Sequence, residues 1–292
     1  MVFDLVNGEC CRRSRFLEPC SSMTPSWAVK NHLPSPTNRV LKFCAITTKC
    51  YPKREPCLIS YLLRHHDTPS AMAFLKDIGF ENVELDYRHA DGLCDYHNID
   101  AKGAAEARKL VESFGITAKA YCVGGLGESH LPYLKNVFEF AKGLGVEVIV
   151  GVLQPAILPQ LGEFCEKYKI YYAIENHRGN VFEAADTILQ ALEGHSEYIG
   201  ANVDTGHFAS AGLKAVEEVQ KLAGRIYHVH FKDSDQRQPL GSGTADLPAV
   251  FAELKRQGYN RLLSIEHYEY RGIEDDVLRD GLAQALEYVK EL

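Results

Sequence analysis

The chain has 292 residues, of which 46% are hydrophobic and 24% charged. That is the balance of an ordinary globular protein long enough to bury a sizeable core, and it excludes disorder, collagen and a small disulfide scaffold as whole-chain descriptions. The formal charge of −7 (32 basic against 39 acidic residues) argues against a nucleic-acid partner, which would call for a basic face.

Residues 1–40 show no hydrophobic period and read as an irregular leader, rich in Cys, Ser, Pro and Arg. Arg12-Arg13-Ser14-Arg15 faintly resembles an export signal, but Glu18 to Pro36 supplies no apolar stretch to follow it. The segment 1–38 is therefore expected to be dispensable for folding. Leu41–Thr47 is a plausible first strand, and Leu58–Leu63 suits a short helix in an otherwise unreadable stretch. From Pro69 a rhythm sets in. Helices are expected over Ser70–Ile78, Ala101–Phe114, Leu131–Leu144, Ile157–Tyr168, Val181–Leu192, Leu213–Ala223, Asp246–Gln257 and Ile273–Lys290. Strands are expected over Asn82–Asp86, Ile116–Cys122, Val146–Val152, Ile170–Glu175, Tyr198–Asp204, Ile226–Phe231 and Arg261–Glu266. Gly79, Gly115, Gly145 and Gly258 close helices where a left-handed cap is wanted.

Counted from Leu41, eight strands each precede a helical segment. Such alternation demands a parallel sheet with crossover helices, and eight units in about 250 residues is the size of a (β/α)8 TIM barrel. An open doubly wound sheet would carry a glycine-rich phosphate loop after its first strand, and none is present. The expected organisation is a leader over 1–40 and a barrel over 41–292. Nine cysteines without a CxxC imply free thiols, a reducing compartment and so a cytoplasmic protein. No apolar run approaches the ~20 residues that span a bilayer, so no membrane partner is expected.

In a barrel the chemistry sits at the C-terminal ends of the strands. Strands 5 to 8 end in Glu175-Asn176-His177, Asp204-Thr205-Gly206-His207, His228-Val229-His230-Phe231-Lys232-Asp233 and Glu266-His267. Charged residues are almost never buried without a partner. The simplest partner is one divalent ion held by Glu175, Asp204, His230 and Glu266. Three oxygens and one nitrogen suit Mn²⁺, with Mg²⁺, Co²⁺ or Zn²⁺ as alternatives. His228, a layer deeper, reads as a hydrogen-bonded core residue. His207 reads as a substrate contact, with a second metal as the alternative. His177 either orients a ligand or contacts substrate. Glu84 either binds substrate polar groups or partners a core cation. Lys232 and Asp233 read as a pair with each other or with neighbouring strands. The loop Gly124-Gly125-Leu126-Gly127 is weak support for phosphate binding.

Asp204-Thr205-Gly206-His207, His228 to Asp233, Gly241-Ser242-Gly243-Thr244-Ala245-Asp246-Leu247 and Gly258 to Glu266 together resemble the xylose isomerase-like barrel superfamily. The resemblance covers about residues 69–290. It implies a sugar isomerase or epimerase, and its ketose 3-epimerase branch implies Glu175, Asp204, His230 and Glu266 as metal ligands. In that branch the two glutamates, Glu175 and Glu266, are the acid/base pair, and its substrate-contacting histidine and arginine fall on His207 and Arg237. Where the branch carries a further substrate-binding glutamate, this chain has Val181. The chemistry agrees: a carboxylate takes the proton beside a carbonyl while a metal stabilises the resulting charge.

The expected activity is thus metal-dependent isomerisation or epimerisation of a ketose or keto-polyol. A dehydratase or lyase acting on a keto-polyol (an inosose) or a 3-keto-glycoside is the main alternative. An endonuclease IV-type repair enzyme and a non-catalytic sugar-binding barrel are weaker ones. The expected partner is a small sugar or polyol, with a homo-oligomer left open.

Overall fold

The computed structural model describes residues 56–98, 101–267 and 273–292. Eight parallel strands close into one barrel in sequence order. They are β1 (Cys57–Ile59), β2 (Asn82–Asp86), β3 (Thr117–Leu126), β4 (Val148–Leu153), β5 (Tyr171–Glu175), β6 (Ile199–Asp204), β7 (Ile226–Phe231) and β8 (Ser264–Ile265). Around them run α1 (Thr68–Ile78), α2 (Ala101–Ser113), α3 (Leu134–Leu144), α4 (Leu158–Tyr168) and α5 (Ala185–Leu192). These are followed by α6 (Thr205–Ser210), α7 (Ala215–Lys221), α8 (Leu247–Arg256) and α9 (Asp275–Glu291). Among the described residues no helix is long and apolar enough to cross a membrane.

The strand that closes the barrel is Cys57–Ile59, which overlaps the start of the stretch Leu58–Leu63 read as a short helix. Only Ser60–Leu63 winds there, as a 3-10 turn. The apolar run Cys57-Leu58-Ile59 is buried throughout and pairs with β2 on one side and β8 on the other. A fully buried strand and a buried helical turn share one apolar pattern, so periodicity does not separate them. Leu41–Thr47 and the leader lie outside the described residues. All eight strands fall after residue 56, and we propose that a chain lacking residues 1–38 folds. Failure to obtain that truncated protein in soluble form would overturn this.

Helix ends follow their local chemistry. Asp67 caps α1 by accepting from the Ser70 amide at 2.8 Å, and Gly79 ends it at φ 100°. The expected helix over Leu213–Ala223 is shorter, as α7, and an unexpected turn of helix, α6, precedes it. Asp204 starts α6 by accepting from the His207 amide at 2.7 Å. An aspartate at a helix N-cap satisfies one of the orphan amides, so the Asp-Thr-Gly-His run folds back over the strand end.

Strand alternation divides the core in two. Outward positions such as Val83, Tyr121, Ile149 and Ile174 pack on the helices, while Ala120, Val148, Val150, Ala173 and Tyr227 form a separate apolar cluster. Ala201 pairs with Ile226 but Asn202 with His228, so β7 carries Tyr227 as an extra residue. Tyr227 packs against Tyr171 at 4.7 Å. Beyond the bulge, His228, His230 and Lys232 share one face.

Candidate active site

A cavity of about 620 Å³ is lined by Glu175, His177, His207, Lys232, Arg237 and Glu266, together with Tyr61, Arg88 and the backbone of Gly124 and Gly125. Asp204 and His230 are fully buried and are not part of that lining. Ligand atoms of Glu175, Asp204, His230 and Glu266 all lie within 4.8 Å of one another. The fold thus brings together the four residues that end β5, β6, β7 and β8.

Each is fixed by its neighbours. Asn176 accepts from the Asp204 amide at 2.7 Å and donates to the Asp204 carbonyl at 3.0 Å, which ties the ends of β5 and β6 together. Asp204 spends Oδ1 on the cap of α6 and keeps Oδ2 for the cluster. His230 turns Nε2 toward Glu84 at 3.1 Å and Nδ1 toward the Asn202 amide at 3.0 Å and Glu266 Oε2 at 2.7 Å. Glu266 Oε2 is buried against His230 Nδ1, which donates to it when the ring is protonated. A bound cation would take the place of that proton between the two. The donor set and its spacing fit one divalent ion.

Glu84 does not reach the cavity. Its side chain is fully buried and shared between His228 Nε2 at 2.7 Å and His230 Nε2 at 3.1 Å, so the place among the substrate contacts expected for it is not where it sits. Its partners are two histidines rather than a core Arg or Lys. A carboxylate behind a candidate ligand histidine fixes that ring's orientation and tautomer. His228 also meets Ser264 Oγ at 3.0 Å and is fully buried, as a core histidine would be. The rings of His177 and His207 meet at 3.9 Å, tilted by 42°, and His207 Nε2 lies 3.8 Å from both Glu175 and Asp204.

Three cavity residues escape sequence reasoning. Lys232, 4% exposed, places its Nζ 2.9 Å from Glu266 Oε1 and 3.3 Å from Asp204 Oδ2, and it does not pair with Asp233. Its signal was the period of two from His228 through His230. Arg88 grips the buried Asp86 with two bonds, of 2.9 Å and 2.6 Å, and lies over the rings of Tyr61 and Tyr87 at 4.3 and 4.9 Å. The Asp-x-Arg step straight after β2 was the available sign for Arg88, and Tyr61 had none.

Asp233 instead organises the loop that carries Arg237. Its carboxylate accepts from the amides of Ser234, Gly241, Gly243 and Ala245. A Cβ on Gly243 would come within 2.0 Å of Asp233 Oδ1, so only glycine fits there. His267 holds the same loop through the Asp233 amide at 3.3 Å and the Gln238 carbonyl at 2.8 Å.

The electrostatics separate the two glutamates. Burial and the neighbouring Glu266 charge push Glu175 up to about 8. Burial also opposes ionisation of Glu266, but Lys232 and then His230 more than offset it and hold the carboxyl well below its usual range. Burial pushes His207 down to about 4 against the pull of Asp204, which leaves the ring neutral. His230 is raised, because Glu84 and Glu266 outweigh its burial.

Known proteins align with this architecture. An inosose isomerase of Bacillus licheniformis is 23% identical over 236 residues, covering 69% of this chain and 75% of that protein. An uncharacterized protein of Methanocaldococcus jannaschii is 31% identical over 145 residues, covering 46% of this chain and 48% of the relative, so the match spans about half of that relative's length. A solved structure of D-psicose 3-epimerase with D-tagatose, from Clostridium cellulolyticum H10, superposes with a TM-score of 0.67 at 13% identity over 81% of this chain and 98% of that one. At that identity the likeness speaks for the fold. The profile of the family described as xylose isomerase-like TIM barrel matches residues 72–292, most of the barrel including β2 to β8. The chain belongs to the xylose isomerase-like TIM barrel family.

Proposed function

We propose that this chain is a divalent-metal-dependent isomerase or epimerase that removes the proton beside the carbonyl of a ketose or keto-polyol. The observation that carries the reading is the pair Glu175 and Glu266. Both line one cavity, at the ends of β5 and β8, and the strands between them, β6 and β7, end in Asp204 and carry His230. Two carboxylates beside one substrate carbon are what removal and return of a proton require. The names of the relatives, inosose isomerase and D-psicose 3-epimerase, agree with this class.

Glu175, Asp204, His230 and Glu266 would hold the ion, and their three oxygens and one nitrogen suit Mn²⁺. When bound, the ion supplies Lewis-acid stabilisation of the charge that develops on the substrate carbonyl. One glutamate would take the proton as a carboxylate and the other would return it, with the hand of the substrate deciding which is which. Neutral His207 offers a ring nitrogen to a substrate hydroxyl, with His177 packed beside it. Arg237 and Arg88 offer N–H donors to the remaining oxygens. The buried, unpaired Cys57, Cys94, Cys122 and Cys165 support a reducing, cytoplasmic setting.

The test is solvent exchange. Manganese-loaded protein incubated in D₂O with a panel of ketoses and keto-polyols should place deuterium on the carbon beside the carbonyl of its substrate. Product analysis then separates epimerisation from loss of water. Metal-loaded protein that exchanges no such hydrogen across the panel would remove proton abstraction from consideration.

A further inference from the structure

We propose that His65, His66 and Asp275 form a second site, on the protein surface, for a borderline divalent ion such as Zn²⁺. It would clip the loop after β1 to the start of α9. The three residues take no part in the cavity. His65 and His66 also lie outside the residues that match the family, so family membership does not supply the site.

The geometry comes first. His65 Nε2 lies 3.3 Å from Asp275 Oδ1, and His66 Nε2 lies 3.3 Å from both Oδ1 and Oδ2. A charge-assisted N–H···O bond settles at about 2.7–2.9 Å and favours one oxygen. Ligands on a tetrahedral zinc with bonds of ~2.0–2.1 Å stand about 3.3 Å apart. The observed separations are those of co-ligands, and one ligand atom from each residue lies within 4.8 Å of the other two.

The backbone of His66 is tied on both sides and its ring is packed. The His66 amide donates to the Leu63 carbonyl at 2.9 Å, and its own carbonyl accepts from the Ala90 amide at 3.1 Å. Its ring leans on Phe74 at 5.9 Å. A preorganised donor set loses little on binding. His65 and Asp275 are 47% and 46% exposed, which leaves entry for the ion and room for a water as fourth ligand. The N-terminal end of α9 disfavours a cation, but Glu274, Asp275 and Asp276 place three carboxylates there. Two nitrogens and one oxygen with an open position suit zinc better than the oxygen-seeking magnesium.

The location gives the clip a purpose. β1 and β8 share only two register pairs, Cys57 with Ser264 and Leu58 with Ile265, whereas β2 and β3 share five. The proposed ion would join the loop after β1 to the helix after β8, across one of the two seams of the barrel that have only two register pairs.

Calorimetric titration of the full chain with zinc chloride tests the site. The wild type should take up one zinc more per chain than the His65→Ala/His66→Ala variant, or bind that equivalent at least ~100-fold more tightly. Zinc should raise the melting temperature further in the wild type than in the variant. Cobalt(II) should give a tetrahedral spectrum in the wild type that loses intensity in Asp275→Asn, which serves if the double variant does not fold. Equal zinc uptake and affinity in wild type and variant, or cobalt spectra unchanged by Asp275→Asn, would overturn the proposal. The barrel cluster is intact in every protein compared, so the difference between them is independent of how that cluster behaves.

Discussion

Glu175→Gln and Glu266→Gln should each lower turnover by ~10²–10⁴-fold, the range expected when a positioned acid or base is removed. Glutamine keeps the size of the side chain and one ligating oxygen but cannot take or give the proton. The two variants differ in what else they disturb. Glu266 faces Lys232 at 2.9 Å, so its replacement also leaves a buried ammonium short of one charged partner. Glu175 lies 3.8 Å from His207, so its replacement removes a carboxylate beside that ring. Metal content must be measured beside rate, because a lost ligand imitates a lost base. Two glutamine variants with full metal and near-normal rates would end the two-glutamate mechanism and make His207 the first alternative.

Asp204→Asn and His230→Ala should lose the barrel's ion. EDTA should silence the wild type, and added Mn²⁺ should restore it. Asp204 has one oxygen committed to the His207 amide, so only Oδ2 remains for a ligand role. Asparagine can place its uncharged amide there, which weakens binding by removing a full charge from a buried position. Removing His230 deletes the single nitrogen donor and deprives Glu84 of one of its two partners. Direct metal analysis of both purified variants decides the matter: full occupancy in the two would refute the ligand assignment.

Much of this was legible in the sequence, and the exceptions have physical causes. Strands β2 to β7 announced themselves because a buried parallel strand is a short apolar run between glycine-capped helices. β1 did not, since three residues leading into a 3-10 turn carry no period of their own. β8 shrank from six expected residues to two, although Glu266 still follows it directly. The four rim residues on β5 to β8 could be found because strand ends need no tertiary knowledge. Glu84 was misplaced because alternation says which face a residue takes, not how deep in a tilted barrel it lies. Lys232 was read as pairing with Asp233 or with neighbouring strands, and the sequence could not choose, because its partners, Asp204 and Glu266, stand 28 and 34 residues away.

The buried Lys232 ammonium also bears on the order in which the molecule is assembled. Without a counter-charge, the carboxylates gathered at the rim would repel one another in the newly made chain, and the barrel could not close until an ion arrived. Lys232 supplies that charge from within, beside Asp204 and Glu266, while Glu175 holds its proton. The barrel can therefore close first and be loaded afterwards, unlike a zinc finger, whose folding waits for its metal. An ion taken up at the barrel site proposed above would then reflect what the surroundings offer a finished protein, and it could be exchanged without unfolding the chain.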